Sequence, residues 1–252
     1  MEVRDFWNQS LPIMDKAGKK IPEAKPAQLF FKHKAMTPNH HYFMREFRYW
    51  KKPSGSGVYP DLDGYLLVRV MEVSGFQQGI QMIPLNRSGR IAKGNNLRVR
   101  LLPFVKGVDL VSDSFRIFDV PSSGVLHIAP NAFSAFAASQ IKGQRTWSPV
   151  MPEALDTMHI PSNLEEVWVW REQGYNDLTS VHCDNLIRLL LSKGIFVHVM
   201  DLDPMLEAKT WADAYRSCGI FAHKDKSSRF EACLKIAEYS EVSEFGMTIK
   251  NA

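Results

Sequence analysis

The stretch VLHIAPNAFSAFAA, residues 125–138, joins a short, largely apolar run to an alanine-rich segment of helical period. Such a run, with little polar alternation, has to be covered on both faces, as the strands of parallel sheets are. Val125–Ala129 is therefore expected to be an interior strand. Asn131 is placed to cap the next helix, with Phe133, Phe136 and Ala137 on its buried face and Gly143 as its stop. The pattern then repeats. VWVW (167–170) reads as a second strand and TSVHCDNLIRLLLSKG as a helix capped by Thr179 or Ser180 and ended by Gly194. IFVHVM (195–200) is a third strand, followed by a helix carrying Leu206, Trp211, Ala212 and Tyr215. SRFEACLKIAEY closes the series as a helix, with Ser228 and Glu231 at capping-box spacing. Strands separated by helices of this length imply a mostly parallel sheet with helices on both faces.

The first half is built differently. GYLLVRVMEV and FQQGIQMIPL are apolar runs joined at Ser74-Gly75, a hairpin signal, and LRVRLLPFV (97–105) can add a third strand. The fold class is thus α/β in its second half and α+β overall, with an antiparallel β-rich module in front. The expected division is a basic, aromatic segment over 1–58, the antiparallel module over 59–123, and an α/β domain with a C-terminal helix over 124–252.

Charge follows the same division. Residues 1–149 hold 21 Lys+Arg against 11 Asp+Glu, and residues 150–252 hold 10 against 16. A basic half beside an acidic half fits a polyanionic partner, or equally a dipolar, solvated surface. The first residues carry acids and no apolar h-region, and no run approaches the length of a membrane span. Cys183, Cys218 and Cys233 lack the spacing of disulfide scaffolds or zinc ribbons. The expectation is a cytoplasmic protein with no membrane partner.

With these elements placed, the chain resembles the Toprim domain of plasmid- and phage-type primases and the small β module that precedes it. The stretch GYLLVRVMEVSGFQQGIQMIPLNRSGRIAKG carries Gly64, Leu66, Leu67, Val68, Gly75, Gln81, Ile83, Gly89 and Gly94 where that module has its pattern. VLHIAPNAFSAFAASQIKGQRTW falls where the family has a strand, Glu-Gly and a helix. IPSNLEEVWVW falls on the strand before its Asp-x-Asp, and AKTWADAY on its closing helix. The resemblance covers about 60–218 and implies a strand-end glutamate for acid–base chemistry and an Asp-x-Asp pair for magnesium. This sequence departs at both. Pro130 and Asn131 stand where Glu-Gly belongs, and Arg171-Glu172-Gln173 follows VWVW in place of Asp-x-Asp. Glu172 is the one acid left there, and Arg171 would repel a divalent cation.

Three readings follow. The first is a catalytically degenerate, primase-related protein with no cofactor. It would bind single-stranded nucleic acid, or replication or transfer proteins, in a plasmid, phage or integrative element. The second is a magnesium-dependent phosphoryl-transfer enzyme using Glu172, Asp201 and Asp203, since VHVMDLDP sets two carboxylates two apart after a strand. Against it, the same aspartates suit a strand-to-loop exit in which the first caps a turn. The third is an interaction subunit without nucleic-acid contact.

For the first reading, the candidate phosphate path is Arg87, Arg90, Lys93, Arg98 and Arg100, in a stretch without an acid. Arg98 and Arg100 alternate with apolar neighbours and should share a strand face. Phe30, Phe31, Tyr42, Phe43, Phe47, Tyr49 and Trp50 interleave with Lys and Arg, a mixture suited to stacking bases or to packing a helix on the sheet. His33, His40 and His41 have no matching ligand spacing and read as surface or stacking residues. Trp168 and Trp170 read as core or interface.

Overall fold

A computed structural model of the chain describes residues 2–34, 46–53, 59–94, 97–117, 124–142, 145–172, 177–202, 208–217, 237–242 and 248–250. It divides into two compact units. Unit 1 comprises Met1–Met71 and Phe76–Leu110, and unit 2 comprises Glu72–Gly75 and Val111–Ala252.

In unit 1, α1 (Val3–Gln9), β1 (Leu11–Pro12) and α2 (Lys25–His33) precede β2 (Phe47–Lys51), β3 (Gly64–Met71), β4 (Gln77–Leu85) and β5 (Arg100–Pro103). The strands pair in chain order, each antiparallel to the next. The apolar run of β3 buries Leu66, Leu67, Val68 and Val70 almost completely. Its hairpin with β4 turns through Gly75 at φ +98°, as the Ser74-Gly75 signal implies. β2 alternates buried and partly exposed residues, so Phe47 and Tyr49 enter the core. There the Phe31 ring of α2 meets Phe47 edge-on at 4.9 Å.

Two expectations change here. Phe30, Phe31, Phe47 and Tyr49 are core residues and offer no face to a base, because helical period in α2 and period two in β2 turn them inward. Trp50 is half-buried against Phe6 and Tyr65. Arg98 and Arg100 also do not share a strand face. A turn from Leu97 N–H to Gly94 O (3.0 Å) holds the chain off the ladder, and pairing begins only at Arg100. Tyr42, Phe43, His40 and His41 lie outside the described residues.

Unit 2 is the mixed α/β body. Its elements are β6 (Ser114–Ile117), β7 (Val125–Ile128), α3 (Ala132–Lys142), β8 (Thr146–Pro149), β9 (Glu166–Trp170), α4 (Asp177–Ser192), β10 (Phe196–Leu202), α5 (Trp211–Ser217), β11 (Ala237–Val242) and β12 (Thr248–Lys250). The strand order is β6-β8-β7-β9-β10-β11-β12. The central four run parallel, with antiparallel β6 on one side and β11 and β12 on the other. As its sequence requires, β7 lies inside the sheet, between β8 and β9. Cys183, Leu186, Ile187 and Leu190 of α4 pack on Leu126, Ile128, Val167, Val169, Val197 and Val199. The intervening residues of β9 face the other way, where Trp170 meets Trp211 of α5 edge-on at 4.7 Å.

α4 begins at Asp177, so Thr179 and Ser180 lie inside the helix and do not cap it. Ala237, Glu238 and Tyr239, expected to end a helix, lie in β11, where pairing with β10 overrides their helical pattern. Ser228 and Glu231 lie outside the described residues. No helix among those residues is long and apolar enough to cross a membrane.

Candidate functional site

The centre of unit 2 lies where β7 and β9 end. Past Ile128, Ala129 N–H still bonds Trp147 O (2.9 Å), and Pro130 then removes a donor and leads the chain out of the sheet. Asn131 caps α3 as its sequence position predicts, its Oδ1 accepting from the N–H groups of Phe133 (3.1 Å) and Ser134 (3.0 Å). Its Nδ2 is thereby turned toward Glu172 Oε2, at 3.3 Å.

Glu172 follows β9 and is 4% exposed. Its Oε1 accepts from Ser134 Oγ and from Trp211 N–H at the start of α5 (2.9 Å). Burial pushes this carboxyl up to about 7, against the opposing pull of the Ser134 and Trp211 hydrogen bonds. The acid is thus tied to the starts of two helices. It joins α3 and α5 to the end of β9, and its oxygens are turned away from solvent.

Arg171, one residue earlier, points to a different set of acids. Its Nε and Nη2 meet Asp201 Oδ1 and Oδ2 at 2.6 and 2.7 Å, a two-pronged pair, and Nη1 meets Asp184 Oδ1 at 3.2 Å. The Asp201 hydrogen bond above all holds the guanidinium in its charged form. Asp201 therefore sits within β10, engaged by a cation; the turn it was expected to cap lies outside the described residues. Asp203 lies outside the described residues. Asp201→Asn should lower the unfolding free energy by about 1–2 kcal/mol, because it halves the charged fork at a half-exposed site. Urea unfolding of the variant reads this directly.

The family resemblance implies magnesium, which needs open carboxylate oxygens in near-octahedral array. The described residues here do not fit it. Glu172 is buried and spends both oxygens on protein donors, and a guanidinium already covers Asp201 and Asp184. Among the described residues no group of three or more His, Cys, Asp or Glu could hold a metal ion.

Beside the corner lies a stack that joins two residues of no sequence signal, His127 and His198, to Trp168. Strand register sets His127, Trp168 and His198 side by side on β7, β9 and β10. Their rings stack at 5.4 Å (His127 on Trp168) and 4.2 Å (Trp168 on His198). Trp170 is fully buried and donates Nε1–H to His127 Nδ1 at 3.0 Å. Core is the correct reading for Trp170, while the half-buried Trp168 belongs to a histidine-flanked stack.

Unit 1 holds the basic candidates. Arg87, Arg90, Lys93, Arg98 and Arg100 are all exposed. Arg87 lies 3.3 Å from Asp63, a surface pair of little energetic weight. The turn that presents Arg87 and Arg90 is built on Asn86, whose Oδ1 accepts from Ser88 N–H (3.1 Å) and Arg90 N–H (3.0 Å). Gly89 in this turn has φ +73°, and a Cβ there would lie 2.6 Å from Pro26 O and Phe30 N of α2. His33, at the end of α2, reaches Ser88 O at 2.9 Å. The turn is thus docked on α2, whose last turn adds Lys32 and His33 to the same neighbourhood. Gly89→Ala combines strain with a backbone clash and should cost about 2 kcal/mol, seen as a lowered Tm. Unit 1 carries 18 Lys+Arg against 8 Asp+Glu, and unit 2 carries 13 against 19.

No family model matches the sequence, and no curated protein matches it significantly. Solved structures do. A DnaG catalytic core shares 10% identity, with 86% of this chain and 74% of that one covered at a TM-score of 0.51. A DnaG primase catalytic domain bound to ssDNA shares 11%, with coverage of 86% and 73% and a TM-score of 0.49. The zinc-binding and RNA polymerase domains of the Aquifex aeolicus primase share 12% at a TM-score of 0.47; the alignment spans 77% of this chain and 45% of that structure. The fold is therefore similar to that of DnaG-type primase catalytic cores.

Proposed function

We propose that this chain is a primase-related protein that has lost metal-dependent chemistry and holds single-stranded nucleic acid on unit 1. It would serve a replication or transfer assembly of a plasmid, phage or integrative element, the setting of the primases its sequence resembles. The observation that carries this reading is the fate of the strand-end acids within a primase-like fold. Pro130 stands at one position and Arg171-Glu172-Gln173 at the other, and Glu172, the one acid left there, is buried and bonded to Asn131, Ser134 and Trp211. A general acid or metal ligand has to reach its substrate or ion, and this carboxyl is instead turned into the protein and bonded there.

The binding half of the proposal rests on charge. Exposed Arg87 and Arg90 stand on a turn, Lys93 and Arg98 on the chain that follows it and Arg100 at the start of β5, all in the strongly basic unit, and phosphate contacts need no more than that. Single strands are the proposed form, because basic residues on a turn and a strand end can track a phosphate backbone without a groove-reading helix. A primer-synthesis assay tests the loss of chemistry. With ribonucleotides, Mg²⁺ and a single-stranded template, the chain should retain the template in a gel shift and make no primer. Template-dependent product would return the enzyme reading to first place. Absence of both template retention and product would favour the interaction-subunit reading.

A further inference from the structure

We propose that Arg171 is a resident cation, its guanidinium standing between Asp201 and Asp184 where a carboxylate metal site would hold a divalent ion. This goes beyond the functional proposal and does not depend on whether unit 1 holds nucleic acid. The acids come from two elements, Asp201 from β10 and Asp184 from α4, and without a positive charge between them they would repel. Arg171 comes from a third position, just after β9. Its planar fork matches both oxygens of Asp201 at 2.6 and 2.7 Å, leaving a third nitrogen for Asp184 at 3.2 Å.

The residue is anchored on both sides of its Cα. Its N–H donates to Met200 O (2.9 Å), and its carbonyl accepts from Trp211 Nε1 (3.0 Å). These bonds fix the backbone of Arg171 to β10 and α5, which sets its side chain beside the acids. The adjacent thiol, Cys183, is held protonated by its burial, pushed up to about 12, and does not compete as a ligand at neutral pH. A carboxylate pair preorganised around a charge of one sign should accept another cation once that charge is removed.

The test removes the guanidinium and offers Mn²⁺, read as free ion by electron paramagnetic resonance and as a shift in Tm. Wild-type protein should take up no stoichiometric Mn²⁺. R171S should bind one equivalent, at least about tenfold more tightly than wild type, and should melt higher with Mn²⁺ present. The double variant R171S/D201N should lose both effects. R171Q keeps a donor toward Asp201 and covers the case in which the shorter side chain destabilises the fold. A variant that folds only with Mn²⁺ supports the proposal. Folded R171S and R171Q that respond to Mn²⁺ as wild type does would overturn it. So would failure of both to fold even with the ion, since the guanidinium would then act by shape and not by charge. Template retention by the wild type is read separately, so failure here leaves the nucleic-acid proposal standing.

Discussion

Glu172→Ala should lower the unfolding free energy by about 3 kcal/mol or more, the largest effect expected from a single substitution in unit 2. It removes the shared acceptor of Ser134 Oγ, Trp211 N–H and Asn131 Nδ2, leaving buried donors unpaired and a void between α3 and α5. Glu172→Gln separates charge from shape. The ordinary glutamate value is 4.5, and in the fold this group titrates near 7. Between those values the folded chain keeps a proton that the unfolded chain releases. Stability from this group is therefore full below about pH 4.5, falls as pH rises toward 7, and is level above that. The wild type should be more stable at pH 5 than at pH 8 by up to about 3 kcal/mol on account of this residue. Glu172→Gln should lose that difference while keeping an acceptor for Trp211. Urea midpoints of both proteins at the two pH values decide it, and equal slopes would show that the carboxyl is charged and solvated.

The second large effect concerns affinity. Replacing Arg87, Arg90, Arg98 and Arg100 with Gln should weaken binding to a single-stranded oligonucleotide by about a hundredfold at moderate salt. It should also reduce the slope of log affinity against log salt by about three, at roughly 0.7 per lost contact. All four side chains are exposed, so the fold should survive. Changing Arg188 and Lys193 to Gln, both exposed in unit 2, provides the control and should leave affinity and slope unchanged. Phe47 and Tyr49 are not expected to contribute as stacking platforms, because both are core residues. An unchanged slope in the fourfold variant would remove the arginine path.

Much of the fold was legible in the residues because the decisive signals are local. The apolar run at 125–129, the Asn131 cap and the Ser74-Gly75 turn each specify one backbone conformation, and each stands where its chemistry puts it. What was not legible depends on partners distant in sequence. Asp184 looks like any polar helix residue until α4 is laid across the sheet and brings it to Arg171. Ser134 looks like helix filler until the turn of α3 sets its hydroxyl on Glu172. The stack of His127, Trp168 and His198 exists only in the register of three parallel strands. Local pattern misled at Phe47 and Tyr49, whose basic neighbours suggested a nucleic-acid face. Period-two alternation in β2 turns Phe47 and Tyr49 inward and leaves Arg48 and Trp50 partly exposed on the other side. It misled again at 237–239, where helical period gave way to pairing with β10.

On the proposed function, the protein holds nucleic acid without the help of a metal. The most direct measurement is a titration of the wild-type chain with a labelled single-stranded oligonucleotide across a salt series, once in EDTA and once in Mg²⁺. Binding is expected in both, with the same linear fall of log affinity against log salt. No binding at the lowest salt, or binding that appears only with Mg²⁺, would contradict it.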